Sequence, residues 1–124
     1  MLIMDDALIF EDFDMGEYTV EKYIERRGWI YIVTDSAFPD HVKIGRTSDM
    51  TKRMTNYNEG KPFPSTRVHC MSDKFDNVIQ VEKKILEYLY KIIEPTTFRK
   101  EWFEIKHLNL LVEVIEEAEK YYNK

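Results

Sequence analysis

Six consecutive residues, Trp29-Ile30-Tyr31-Ile32-Val33-Thr34, are all aromatic or β-branched. Such a run packs well on a pleated surface and poorly in a helix, so it reads as a strand. Gly28 precedes it, and the turn-forming stretch Asp35-Ser36-Ala37-Phe38-Pro39-Asp40 ends it. A second short run, His41-Val42-Lys43-Ile44-Gly45, follows at once, and the pair predicts a β-hairpin. A hairpin needs further strands or helices over it to be stable in water. The remaining pattern supplies both. Ser48 or Asp49 caps a helix to about Asn58, with Gly60 as its stop. Thr66 to Met71 is a third strand candidate, and Ser72 or Asp73 opens the longest helix, Phe75 to Ile93, with Pro95 beyond it. Glu101 to Ile105 reads as another short strand, and an amphipathic helix runs from about Leu108 to Tyr121. Tyr18 to Arg27 fits a short helix, and residues 1–16 show no clean periodicity. The expected fold is α+β, a small antiparallel sheet flanked by helices. The expected organisation is an acidic extension at 1–27, a domain at 28–106 and a C-terminal amphipathic helix at 107–124 packed on it.

A chain of 124 residues, 44% of them hydrophobic, can bury one core without disulfides or metals. Cys70 is the only cysteine, so no internal disulfide forms and an intracellular setting is expected. No apolar stretch approaches the roughly 20 residues a bilayer crossing needs, and the N-terminus lacks the basic start of a secretory signal. The net charge of −5 is unevenly spread. Residues 1–27 hold eight acidic and three basic side chains, an excess equal to the whole net charge. Residues 28–67 hold six basic and four acidic ones. A local basic stripe still binds phosphate in an acidic protein, because screening limits distant charges to about 10 Å. The plainer reading is a solvated surface with a charged head, and that head is also a candidate surface for a basic protein partner.

Three features carry chemistry. In the long helix Val78, Ile79, Ile85, Leu86, Leu89 and Ile93 form an apolar stripe, and Glu82 falls inside it. A buried carboxylate needs a partner or a metal, whereas one at the stripe's edge reaches water or a lysine such as Lys83. Arg53 and Tyr57 are four apart on one helix face, and Lys43 and Arg46 sit at the exit of the hairpin. Together they form a phosphate-facing set of guanidinium, ammonium and phenol groups, with Lys52 and Lys61 nearby in sequence. His41, His69, Cys70 and His107 lack metal-ligand spacing, so zinc is not expected. No phosphate loop, dinucleotide fingerprint or Ser/His/Asp arrangement is present. Trp29, Trp102, Phe103 and the Tyr90 region read as core, while Phe38 and Phe63, in proline-containing loops, are candidates for stacking on bases.

The string Gly28-Trp29-Ile30-Tyr31, an eleven-residue gap, then Lys43-Ile44-Gly45-Arg46-Thr47 resembles the opening motifs of the GIY-YIG nuclease superfamily. Arg53, eight residues after Gly45, matches the superfamily's helix arginine, and Glu82 in Val81-Glu82-Lys83-Lys84-Ile85 its helix glutamate. The closing Lys100-Glu101-Trp102-Phe103 looks like the branch common in phage and viral open reading frames. Lys43 stands where the second tyrosine is usual, Tyr57 where a histidine is frequent, and Asn109 is the nearest residue to an expected asparagine. The resemblance implies a metal-dependent endonuclease acting on DNA. Glu82 would hold one Mg2+ (or Mn2+), Arg53 would grip the scissile phosphate, and Tyr31 would be the general base. That base requires a lowered phenol pKa, with Lys43 the expected cause. Lys43 or Tyr57 would assist the water, and Arg46, Lys52 and Lys61 would bind nucleic acid. The alternative is a GIY-YIG-like module that binds nucleic acid or protein without cutting.

Overall fold

A computed structural model of the protein describes residues 27–94 and 101–123. Four strands form one antiparallel sheet: β1 (Trp29–Asp35), β2 (His41–Thr47), β3 (Thr66–Met71) and β4 (Trp102–Glu104). Their spatial order is β3-β1-β2-β4. Three helices flank the sheet: α1 (Met50–Asn58), α2 (Val78–Ile92) and α3 (Leu108–Tyr122). This is the expected α+β architecture.

The hairpin forms with Tyr31 opposite Gly45 and Ile30 opposite Arg46. Strand alternation sends successive side chains to opposite faces, so the two faces of the sheet divide the sequence. One face presents Ile30, Ile32, Val42, Ile44 and Phe103. It buries them against Val78, Val81, Ile85 and Leu89 of α2 and Leu111, Val114, Ile115 and Ala118 of α3. The other face carries Tyr31, which bonds to Tyr57 of α1, and Thr66, which bonds to Asn58 at that helix's end. The side chain of Asp49 caps α1 by accepting from the Lys52 N–H, and Gly60 adopts φ 74° just past its end. Both features follow the expectation from sequence.

The long helix begins later than expected. Ser72 does not cap it. The Ser72 hydroxyl accepts from the Ile30 N–H at 3.0 Å, and its backbone extends the β1–β3 pairing. Phe75 is then held to Gly28 by two backbone hydrogen bonds, and the helix starts only after a turn at Asp76 and Asn77, the side chain of Asn77 accepting from the Gln80 N–H. A Cβ on Gly28 would press against the Thr47 carbonyl and Val78, which explains glycine at this crossing. The expected helix at 18–27 lies almost entirely outside the described residues, as do Pro95 and Lys100. Among the described residues, no helix is long and apolar enough to cross a membrane.

Candidate functional site

Alternation along β2 separates two residues that the sequence had grouped. Lys43 and Arg46 are three apart, so they project from opposite faces. The first cluster lies on the α1 face. Tyr31 is almost wholly buried, and its hydroxyl lies 2.8 Å from that of Tyr57. The two rings meet edge to face with centroids 6.3 Å apart. Gly45 makes room for this pair: a Cβ there would lie 2.5 Å from the Tyr31 hydroxyl. Lys43 Nζ stands 5.0 Å from the centre of the Tyr57 ring, a cation–π distance, and 3.8 Å from Glu101 Oε2. Arg53, one turn before Tyr57, has its Nε buried with no hydrogen-bond partner.

The second cluster is an ion pair on the core face. Glu82 is 8% exposed, flanked in its helix by the buried Val78, Val81 and Ile85. Its ion-pair partner is Arg46, not its sequence neighbour Lys83. Arg46 reaches across from β2, with Nε 3.2 Å from Glu82 Oε1. Burial pushes the Glu82 carboxyl up to about 7, against the pull of Arg46 and Lys43, and the charge of Glu101 adds to the rise. Arg46 is therefore a counter-ion of Glu82 in this structure, not an unengaged phosphate ligand.

The two clusters are linked at the outer edge of β2. β4 pairs only with His41 to Lys43, and Ile44 N–H donates to the Glu101 carbonyl. Beyond that point, Gly45 to Thr47 has no strand on its outer side among the described residues. Glu101, just before β4, acts electrostatically on both Tyr31 and Glu82. Glu101 was not marked as a site residue by sequence reasoning. Its signal was the motif around it, but only the β2–β4 pairing shows that its carboxylate meets Lys43.

The expected activation of Tyr31 is corrected by this geometry. Burial, then the hydrogen bond and charge of Tyr57, raise the phenol well above its ordinary 10.0. Arg53 is the cation that opposes the rise, and Lys43 is engaged with Tyr57 and Glu101 instead. In this arrangement Tyr31 acts as a hydrogen-bonding partner of Tyr57.

The remaining expected ligands are dispersed. Lys52 is exposed on α1. Lys61 is tied to Asp35, Ser65 and Thr66, at the end of β1 four residues from Tyr31, or about 13 Å along a strand. Phe63 is 78% exposed in the loop after α1, and Phe38 lies edge-on to Trp102. Asn109 is exposed in the first turn of α3. No cluster of three or more His, Cys, Asp or Glu side chains that could hold a metal exists among the described residues.

Residues 28–121 match the T5orf172 domain. The chain belongs to this family. The T5orf172 match spans the hairpin, α1, both outer strands, α2 and nearly all of α3, so it contains both clusters. No curated protein and no solved structure matches the chain.

Proposed function

We propose that this T5orf172 domain is a divalent-metal-dependent endonuclease that hydrolyses phosphodiester bonds in DNA. The observation that carries the reading is Arg53. Its Nε is buried without a partner beside the Tyr31–Tyr57 hydroxyl pair, and a desolvated unpaired guanidinium nitrogen is costly unless an anion completes it. A phosphodiester is such an anion. The GIY-YIG resemblance supports the same roles for Arg53 and Glu82, and the T5orf172 domain is of phage origin and occurs in nuclease-related proteins.

The residues fit a hard divalent cation of the magnesium type. Such ions keep several waters and take one or two carboxylates plus substrate oxygens, so a cage of three protein ligands is not required. Glu82 offers a carboxylate that already holds a cationic partner, and Glu101 adds negative charge beside it. Magnesium or manganese held there supplies Lewis acidity and charge neutralisation. Arg53 grips two phosphate oxygens with its planar fork. Lys43, steadied by Glu101, and Tyr57, steadied by Tyr31, orient the attacking water. Tyr31 remains a phenol and serves as a positioning group.

A second reading has its own observation: Arg46 already neutralises Glu82, which suits a module that binds nucleic acid without cutting it. Supercoiled plasmid separates the two. The nuclease reading expects nicking with Mg2+, none with a chelator, and none by Glu82→Gln. An intact plasmid in every lane, with duplex DNA still bound, supports the binding module instead.

A further inference from the structure

The Arg46–Glu82 pair is asymmetric in a way that a purely structural ion pair need not be. The Glu82 side chain is 11% exposed and that of Arg46 43% exposed. The carboxylate is packed among buried residues of α2, whereas the guanidinium sits at the end of a long flexible stem on the stretch of β2 that β4 leaves open. Returning Arg46 to water costs little, while leaving Glu82 charged and unpaired costs much more. A divalent cation bound at the carboxylate relieves Glu82 of its need for Arg46 while keeping it charged. Arg46 then remains at the rim as an unpaired fork of hydrogen-bond donors, which is suited to phosphate.

We propose that Arg46 is an exchangeable counter-ion: a divalent cation displaces it from Glu82, and the freed guanidinium takes a phosphate of the nucleic acid. The inference rests on Glu82 being the cation ligand. Its consequence is positive coupling, since cation binding creates a phosphate ligand and phosphate binding withdraws the competitor for the carboxylate. Such coupling is reciprocal by linkage. Without cation, the pair keeps the site from holding a bare buried carboxylate and lowers its hold on DNA.

Calorimetric titration of Mn2+ into the full chain tests the exchange, with Arg46→Gln and Glu82→Gln beside the unaltered protein. The expected result is that Arg46→Gln binds Mn2+ about tenfold more tightly, within the usual range of coupling between sites. Glu82→Gln is expected to bind none. Duplex DNA affinity, measured with Ca2+ and with chelator, should rise with the cation in the unaltered protein and lose that increment in Arg46→Gln. The protein without substitutions carries an independent readout should Arg46→Gln fold poorly: on saturation with Mg2+, the Arg46 Nε–H resonance should move to that of an exposed arginine. Mn2+ affinity unchanged or weakened in Arg46→Gln, or an Nε–H resonance that stays put while Mg2+ binds, overturns the exchange alone. Equal Mn2+ binding by the unaltered protein and Glu82→Gln overturns the cation-ligand reading of Glu82, and the exchange with it.

Discussion

At Glu82, negative charge and an apolar setting oppose one another, and Arg46 decides the balance. Truncation of Glu82 removes both the charge and its desolvation cost, and alanine is the better helix former. Arg46, at 43% exposed, regains water when its partner is lost. Glu82→Ala should therefore melt within a few degrees of the unaltered protein while losing Mg2+-dependent nicking. A large fall in melting temperature with nicking retained would make Glu82 a structural residue. Gly45 is constrained by space: a Cβ 2.5 Å from the Tyr31 hydroxyl must push a buried ring off its partner Tyr57. Gly45→Ala should destabilise by about 1–3 kcal/mol in urea unfolding, the usual cost of overpacking. An unchanged unfolding midpoint would mean that the Tyr31 ring can move freely. The chemistry of Tyr31 itself could not be read from its neighbours in sequence, because burial governs its pKa and burial is a property of the folded sheet.

The elements were largely legible, and where they were not the cause is a long-range bond. β1, β2 and α1 follow from β-branched composition, a turn and an Asp49 cap, all of them local. The start of α2 was misplaced because the Ser72 hydroxyl, a plausible cap by sequence, serves the Ile30 N–H from 42 positions away. Strand alternation alone puts Lys43 and Arg46, three apart on β2, on opposite faces. That Arg46 meets Glu82 was not legible, since nothing local joins β2 to α2. The end of β1 carries a further prediction. Burial works against the charged form of Asp35, yet the Ala37 N–H, the Thr66 and Ser65 hydroxyls and the Lys61 ammonium together hold its carboxyl below the ordinary 3.8. A depressed native pKa stabilises the fold above the unfolded value and loses that contribution as pH falls through the native one. Asp35→Asn should cost about 1–3 kcal/mol at pH 7, with the gap closing as pH drops below 3.8. Equal stability of the two proteins at neutral pH would contradict this.

Across the whole molecule, one core of sheet, α2 and α3 holds the fold, while the proposed chemistry occupies the α1 face and the outer edge of β2. The acidic excess of residues 1–27 equals the full net charge of −5, so the 28–124 fragment is formally neutral. If the acidic segment screens the site, that fragment should bind duplex DNA more tightly and with a steeper salt dependence, as each added phosphate contact releases a counterion. A soluble fragment with the same affinity and salt slope would show that the segment plays no part in binding. The central claim is that Arg53, whose buried Nε has no hydrogen-bond partner, grips a scissile phosphate. The measurement that tests it most directly is the rate of Mg2+-dependent plasmid nicking by Arg53→Lys beside the unaltered protein. Lysine keeps the charge but not the fork, and loss of bidentate transition-state contact is expected to slow cleavage about a hundredfold or more. Cleavage by Arg53→Lys at close to the unaltered rate would contradict the account.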